Sequence, residues 1–222
     1  MRVLGLIPAR GGSKGIPGKN LVDLGGRTLL SWTATEALKS SLTRTIISTD
    51  DEDIASEAAR CGIEVPFIRP AHLATDTALS IDVALHALKF LEESYDAVML
   101  LQPTTPFRNA TDIDGAILLL ENEDNVDSVI SVSDVGSAHP ARMKIIHNGW
   151  IVDPGYIDAP DGEPRQRLPS VYILNGAIYL SRTSVVRDKT FHGERSRPWI
   201  MPAERSVNID TALDLALARA LI

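Results

Sequence analysis

Residues 8–20 read PARGGSKGIPGKN, directly after the apolar run Val3–Ile7. Glycines at 11, 12, 15 and 18 surround three cations, Arg10, Lys14 and Lys19. Such a segment has the physics of a polyphosphate cradle. Glycines let the backbone come close and turn its N–H groups to an anion, and the cations supply the compensating charge. It is not a P-loop: aligning Gly18-Lys19 with that pattern puts Ser13 where glycine is required and Asn20 where Ser or Thr is required. It also lacks G-x-G-x-x-G. A solvated glycine-rich turn with surface lysines is the alternative. The chain carries a net charge of −7, and exposed charges beyond roughly 8–10 Å are largely screened at cellular salt. An anion must therefore be met by a local cluster such as this one.

Other candidates are fewer. Asp50, Asp51 and Asp53 could hold a metal, but acids at a helix start also suit the helix dipole. His72, His86, His139, His147 and His192 show no zinc-ligand spacing. Ser13 has no visible His–Asp context for a nucleophilic triad. In Asn208-Ile209-Asp210, alternation along an extended segment puts Asn208 and Asp210 on one side. There they could grip a hard cation such as Mg²⁺, or Asp210 could simply help start the following helix.

The elements that must position these residues follow from the apolar pattern. Strands are predicted at Val3–Ile7, Thr45–Ser48, Glu64–Ile68, Asp96–Leu101, Asp127–Ser131 and Ile173–Leu180. Helices are predicted at Thr28–Lys39, Asp51–Cys61, Ala78–Leu91, Asp112–Leu120 and Thr211–Ile222, the last opened by a capping box, Thr211-x-x-Asp214. This alternation implies an α/β, Rossmann-like, mostly parallel sheet with helices on both faces. Between Gly136 and Ser170 the helical period is lost, and MKIIHNGWIVD offers a hairpin about Asn148-Gly149. One domain spanning 1–222, with a β-rich excursion at 134–170, is the expected organisation.

Ligands of open α/β sheets sit beyond the carboxyl ends of the strands. PARGGSKGIPGKN, STDDED, RPAHLATDT and QPTTPFR follow the first four predicted strands and share that rim. An isoelectric point near 5.2 argues against nucleic acid and anionic membranes as partners. No apolar run approaches membrane-spanning length, and the N-terminus lacks a signal-peptide pattern. With the single cysteine Cys61, these features lead to the expectation of a cytoplasmic protein.

The ordered blocks IPARGGSKGIPGKN (7–20), STD (48–50), RPAHLATDTALS (69–80), LLQPTTPFR (100–108), HP (139–140), PRQRLP (164–169), NGAIY (175–179) and NIDTALDL (208–215) resemble the CMP–sialic acid synthetases, or acylneuraminate cytidylyltransferases. The blocks run through essentially the whole chain. Relatives acting on Kdo share the fold but open differently, and the Lys14 to Lys19-Asn20 form favours the nine-carbon sugar branch.

That resemblance implies attack of the anomeric hydroxyl of an acidic 2-keto sugar on the α-phosphorus of CTP, with pyrophosphate leaving. Catalysis would be positioning and electrostatic stabilisation. Arg10, Lys14 and Lys19 would hold the triphosphate, with Lys19 at the reacting phosphate. Ala9, Gly12, Ser13, Asn20, Arg69 and Ser80 would complete the nucleotide site. Gln102, Arg165, Asn175, Tyr179 and Phe191 match sugar-contacting positions, although His192 replaces a second aromatic seen in some members. Arg142 would reach the sugar carboxylate from a neighbouring subunit, making the excursion a dimerisation element and the active sites of the homodimer composite. Mg²⁺ is the implied cofactor, held by Asp210 with Asn208, where the family often has Asp-x-Asp. Two alternatives stay open: a different nucleotide and sugar pair, and a nucleotide-binding homologue with weakened catalysis.

Overall fold

The structure, a computed structural model, describes residues 1–157, 159–160 and 162–222. Positions 158 and 161 of the predicted excursion therefore lie outside the described residues. In chain order the strands and helices are β1 (Val3–Pro8), β2 (Asp23–Leu24), β3 (Arg27–Thr28), α1 (Leu29–Lys39), β4 (Arg44–Ser48), α2 (Glu52–Arg60), α3 (Ser80–Leu91) and β5 (Ala97–Leu100). They continue with α4 (Ala110–Asn122), β6 (Ser128–Asp134), β7 (Ile145–His147), β8 (Trp150–Val152), β9 (Tyr172–Arg182), α5 (Thr183–Arg187), β10 (Ser196–Ile200) and α6 (Ala212–Ala220).

The main sheet has the order β10-β6-β9-β5-β1-β4. β9 runs antiparallel to both β5 and β6, and the remaining pairs are parallel. Alternation along β1 explains burial on both faces. Val3 and Ile7 join α1, α2 and α4 through Leu30, Ile54 and Ile113, while Leu4 and Leu6 join α3 and α5 through Ala84 and Val186. A third cluster packs α6 against the β2–α1 segment through Leu24, Leu29, Ile209 and Leu215. This cluster ties the end of the chain to the cation-rich loop.

Two expectations need correction. Glu64–Ile68 is not a regular strand: it forms only isolated bridges, Glu64 to Ile46 of β4 and Ile68 to Thr49 just beyond β4. Val65 and Phe67 pack into opposite cores, where two residues this far apart on a regular strand would share a face, so the segment does not keep a strand's alternation. The Ser196–Ile200 strand was not anticipated, because its arginine, proline and serine suit an exposed edge and carry little apolar signal. The hairpin at Asn148-Gly149 forms as expected, with both residues at positive φ (50° and 83°) as a two-residue turn demands. It stands in the excursion that leaves the sheet after β6 and returns at β9.

Candidate active site

Loops at the carboxyl ends of β1 and β5 converge with the segments leading into α3 and α6 on a cleft of about 560 Å³. Arg10, Ser13, Lys14, Gly15, Lys19 and Asn20 line it from the first loop. Arg69, Thr75, Asp76 and Ser80 come from the segment leading into α3, Gln102, Pro103 and Thr104 from the loop after β5, and Asp210 from the last connection.

The first loop is braced from several sides. Ala9 N–H donates to the Ser48 carbonyl at 3.0 Å, and Gly11 N–H donates to Asp50 Oδ1 at 3.1 Å. Asn20 is buried and its Nδ2 donates to the Arg10 carbonyl at 3.0 Å, closing the loop on itself. A Cβ on Gly15 would lie 2.4 Å from the Asp210 carbonyl oxygen, so only glycine lets these two backbones meet. Ile209 N–H donates to the Thr104 carbonyl at 2.8 Å, seating Asp210 between the first loop and the one after β5. Across that junction Lys19 Nζ lies 2.8 Å from Asp210 Oδ1. Asn208 Nδ2 donates to Asp210 Oδ2 at 2.6 Å, so the two side chains do share a side.

The other two cations face an acid that sequence reasoning missed. Arg10 Nη2 lies 2.7 Å from Asp76 Oδ1, and Lys14 Nζ pairs with Asp76 Oδ2. Hydrogen bonds from Lys14 and Arg10 hold the Asp76 carboxyl below its ordinary pKa. Asp76 lies inside the quoted block RPAHLATDTALS, yet an acid within a cation-rich rim carries no local pattern that marks it.

Several expected site residues are engaged by the fold. The buried Arg69 guanidinium donates through Nε to Ser48 Oγ at 2.9 Å and through Nη2 to the Ser48 carbonyl, and burial pushes its pKa down to about 10. Asn175 accepts from Ser131 Oγ at 2.6 Å and from Ala177 N–H at 3.1 Å, and donates to Ser206 Oγ at 2.9 Å. Gly176, at φ 77°, follows it at the register shift between β6 and β9. Phe191 is buried in the α3-side core, with Tyr179 packed against it at 6.0 Å between ring centroids. Burial raises the Tyr179 pKa. Ala9 and Gly12 belong to the first loop without lining the cleft. Arg165 pairs with Asp134 at 2.9 Å and Arg142 lies on a short turn of the excursion, both outside the cleft lining. Asp51 caps α2, accepting from Asp53 N–H and Ile54 N–H at 2.9 and 3.0 Å, which accounts for its place at the helix start.

Among the described residues no cluster of three or more His, Cys, Asp or Glu side chains is poised for a metal. Asp210 is nevertheless half exposed on the cleft, with oxygens now shared by Lys19 and Asn208. One carboxylate completed by phosphate oxygens and water suits Mg²⁺, which rarely uses an all-protein cage.

The comparisons with known proteins converge on one family. A family model described as cytidylyltransferase matches residues 4–143, which include the first loop, Asp76 and Gln102. The chain belongs to the cytidylyltransferase family. A CMP-N,N′-diacetyllegionaminic acid synthase from Legionella pneumophila is 36% identical over 228 aligned residues, covering 100% of this chain and 97% of the relative. An N-acylneuraminate cytidylyltransferase from Escherichia coli O18:K1:H7 is 32% identical, and there this chain spans only 51% of the relative's length. The cytidylyltransferase fold itself is matched at a TM-score of 0.72 and 18% identity by a CMP:2-keto-3-deoxy-manno-octonic acid synthetase complexed with CTP, covering 100% of this chain and 98% of that one. The resemblance to CMP–sialic acid synthetases is thus upheld, and the chain is a nucleotidyltransferase.

Proposed function

We propose that this chain transfers the cytidylyl group of CTP to the anomeric hydroxyl of a nine-carbon nonulosonic acid, releasing pyrophosphate. The observation that carries the reading is the convergence of Arg10, Lys14 and Lys19 on one cleft that Asp210 faces from the opposite loop. In-line displacement at the α-phosphorus gathers negative charge on phosphoryl oxygens, and fixed cations lower that barrier without reorganising. Lys19 stands at the reacting phosphate. Arg10 and Lys14 neutralise the departing pyrophosphate, and Ser80, on the cleft wall at the start of α3, is nearest the base. Arg69 supports the nucleotide side mainly by holding Ser48 and the 69–73 turn in place. Mg²⁺, when bound by Asp210 and the triphosphate, supplies further charge neutralisation.

Gln102 begins the sugar side of the cleft, and Asn175 and Tyr179 shape the sheet beneath it. Arg142 and Arg165 stand apart on the excursion, where a guanidinium from a second copy could grip the sugar carboxylate with two parallel bonds. Supporting that assembly, Ile146, Trp150 and Ile151 are each about three-quarters exposed on the two-stranded β7–β8 ribbon. An apolar ribbon of this kind is not stable in water by itself and is covered in a homodimer. N,N′-diacetyllegionaminic acid and N-acetylneuraminic acid are the first substrates to test. The expected result is pyrophosphate release from CTP and Mg²⁺ that depends on one of these acids. Release without any acidic sugar, or only with another nucleotide, would refute the reading.

A further inference from the structure

We infer that Asp76 is a stand-in anion: it occupies the triphosphate's seat in the unliganded enzyme and must yield it when CTP binds. This rests on the cytidylyltransfer reading of the same cleft.

The inference starts from how differently the acids around the site are held. Asp51 and Asp214 each accept backbone N–H groups at a helix start, so their positions belong to the fold. Asp76 sits in the loop just before α3, and among the described residues its carboxylate meets side-chain cations only. One oxygen faces Arg10 and the other faces Lys14. Those are two of the three cations of the glycine-rich loop. The third, Lys19, is matched in the same way by Asp210. With both carboxylates in place, every cation of the loop is paired before substrate arrives, although Asp76 offsets only one of the two charges it meets.

The contact is also built to be given up. The side chains of Arg10, Asp76 and Lys14 are 30%, 40% and 82% exposed. Ion pairs this accessible to water contribute little and break readily. A triphosphate brings about four negative charges on several oxygens, enough to recruit Arg10 and Lys14 together. Arg10 also donates to the Ala74 carbonyl at 3.4 Å, so the arginine remains tethered to the same loop when the carboxylate leaves. Asp76 therefore competes with the triphosphate for Arg10 and Lys14. It also competes with pyrophosphate for the cradle at the end of each turnover.

Binding of CTP with Mg²⁺, and separately of inorganic pyrophosphate, to the native full chain and to Asp76→Asn and Asp76→Glu decides the matter by titration calorimetry without sugar. Asparagine keeps the shape and removes the competing charge. Asp76→Asn should bind both ligands about fivefold more tightly, as expected for loss of an exposed ion-pair network. Its steady-state inhibition by pyrophosphate should set in at correspondingly lower concentration, while Asp76→Glu stays near native. Equal or weaker binding by Asp76→Asn, in a variant whose thermal transition matches the native one, would overturn the inference and make Asp76 an organiser of the cations. If the native chain bound pyrophosphate but not CTP, the cytidylyl reading would fall while the Asp76 comparison with pyrophosphate still decided its role. If it bound neither, both would fall.

Discussion

At the residue scale, Lys19 and Arg69 are both cations of the cleft lining, yet their surroundings assign them different work. Lys19 meets one exposed carboxylate across the cleft. Lys19→Ala should lower kcat by about a hundredfold, the scale for losing one preorganised charge at a developing phosphate anion, with an unchanged thermal transition. A thermal transition that fell in step with activity would contradict this. Arg69 is buried and bonded to Ser48 and Leu73. Arg69→Ala strips the Ser48 carbonyl of its charged donor, and a loss of about 3 kcal/mol in denaturant unfolding is expected. The neutral Asn208 offers an amide beside Asp210 where a second carboxylate would bind Mg²⁺ more firmly. Asn208→Asp should therefore reach half-maximal activity at lower Mg²⁺ than the native chain, and superimposable metal curves would refute that role.

At the element scale, α6 matters through its first turn. Asp214 Oδ2 accepts from Asp210 N–H at 3.1 Å, from Thr211 N–H at 2.7 Å and from Thr211 Oγ1 at 2.8 Å. The capping box that starts the helix thus also orients the backbone of Asp210. Hydrogen bonding to Thr211 holds the Asp214 carboxyl below its ordinary pKa. The unfolded chain takes up that proton at higher pH than the folded one does. The stabilisation is then complete above the ordinary carboxylate range and is lost as pH falls through the depressed folded value. Asp214→Asn should be less stable than native at neutral pH, with the gap closing on acidification, as read by urea midpoints across pH. Thr211→Ala, which removes the cap itself, should cost about 1 kcal/mol.

At the scale of the whole molecule, the cleft of one copy holds the cations for phosphate, while Arg142 lies outside it on the excursion. If a second copy brings Arg142 to the sugar, two inactive variants can repair each other. Mixing Lys19→Ala with Arg142→Ala under conditions of subunit exchange should restore about a quarter of native activity, because half the dimers are hybrids with one intact site. No recovery, despite exchange shown by a mass-tagged copy, would place Arg142 away from the partner's site. Among the described residues no helix is long and apolar enough to cross a membrane.

Much of this was legible in the chain itself, because local chemistry and the fold agree there. Apolar runs set β1, β4, β5 and β6, the Thr211-x-x-Asp214 box starts α6, and Asn148-Gly149 supplies the positive φ of its turn. The rim position of the glycine-rich loop follows from strands and helices alternating, since each crossover returns the chain to the same end of the sheet. Tertiary structure alone decided the partners of those residues. Ser196–Ile200 becomes a strand only because β6 offers a free edge. Arg69 turns inward because the Ser48 carbonyl lies there. Asp76 meets Arg10 and Lys14 across more than sixty residues of chain. Caps, turns and apolar period act between neighbours a few residues apart and so leave a mark in the sequence. An ion pair or a strand edge depends on which distant backbones the packed core brings together, and no local pattern carries that information.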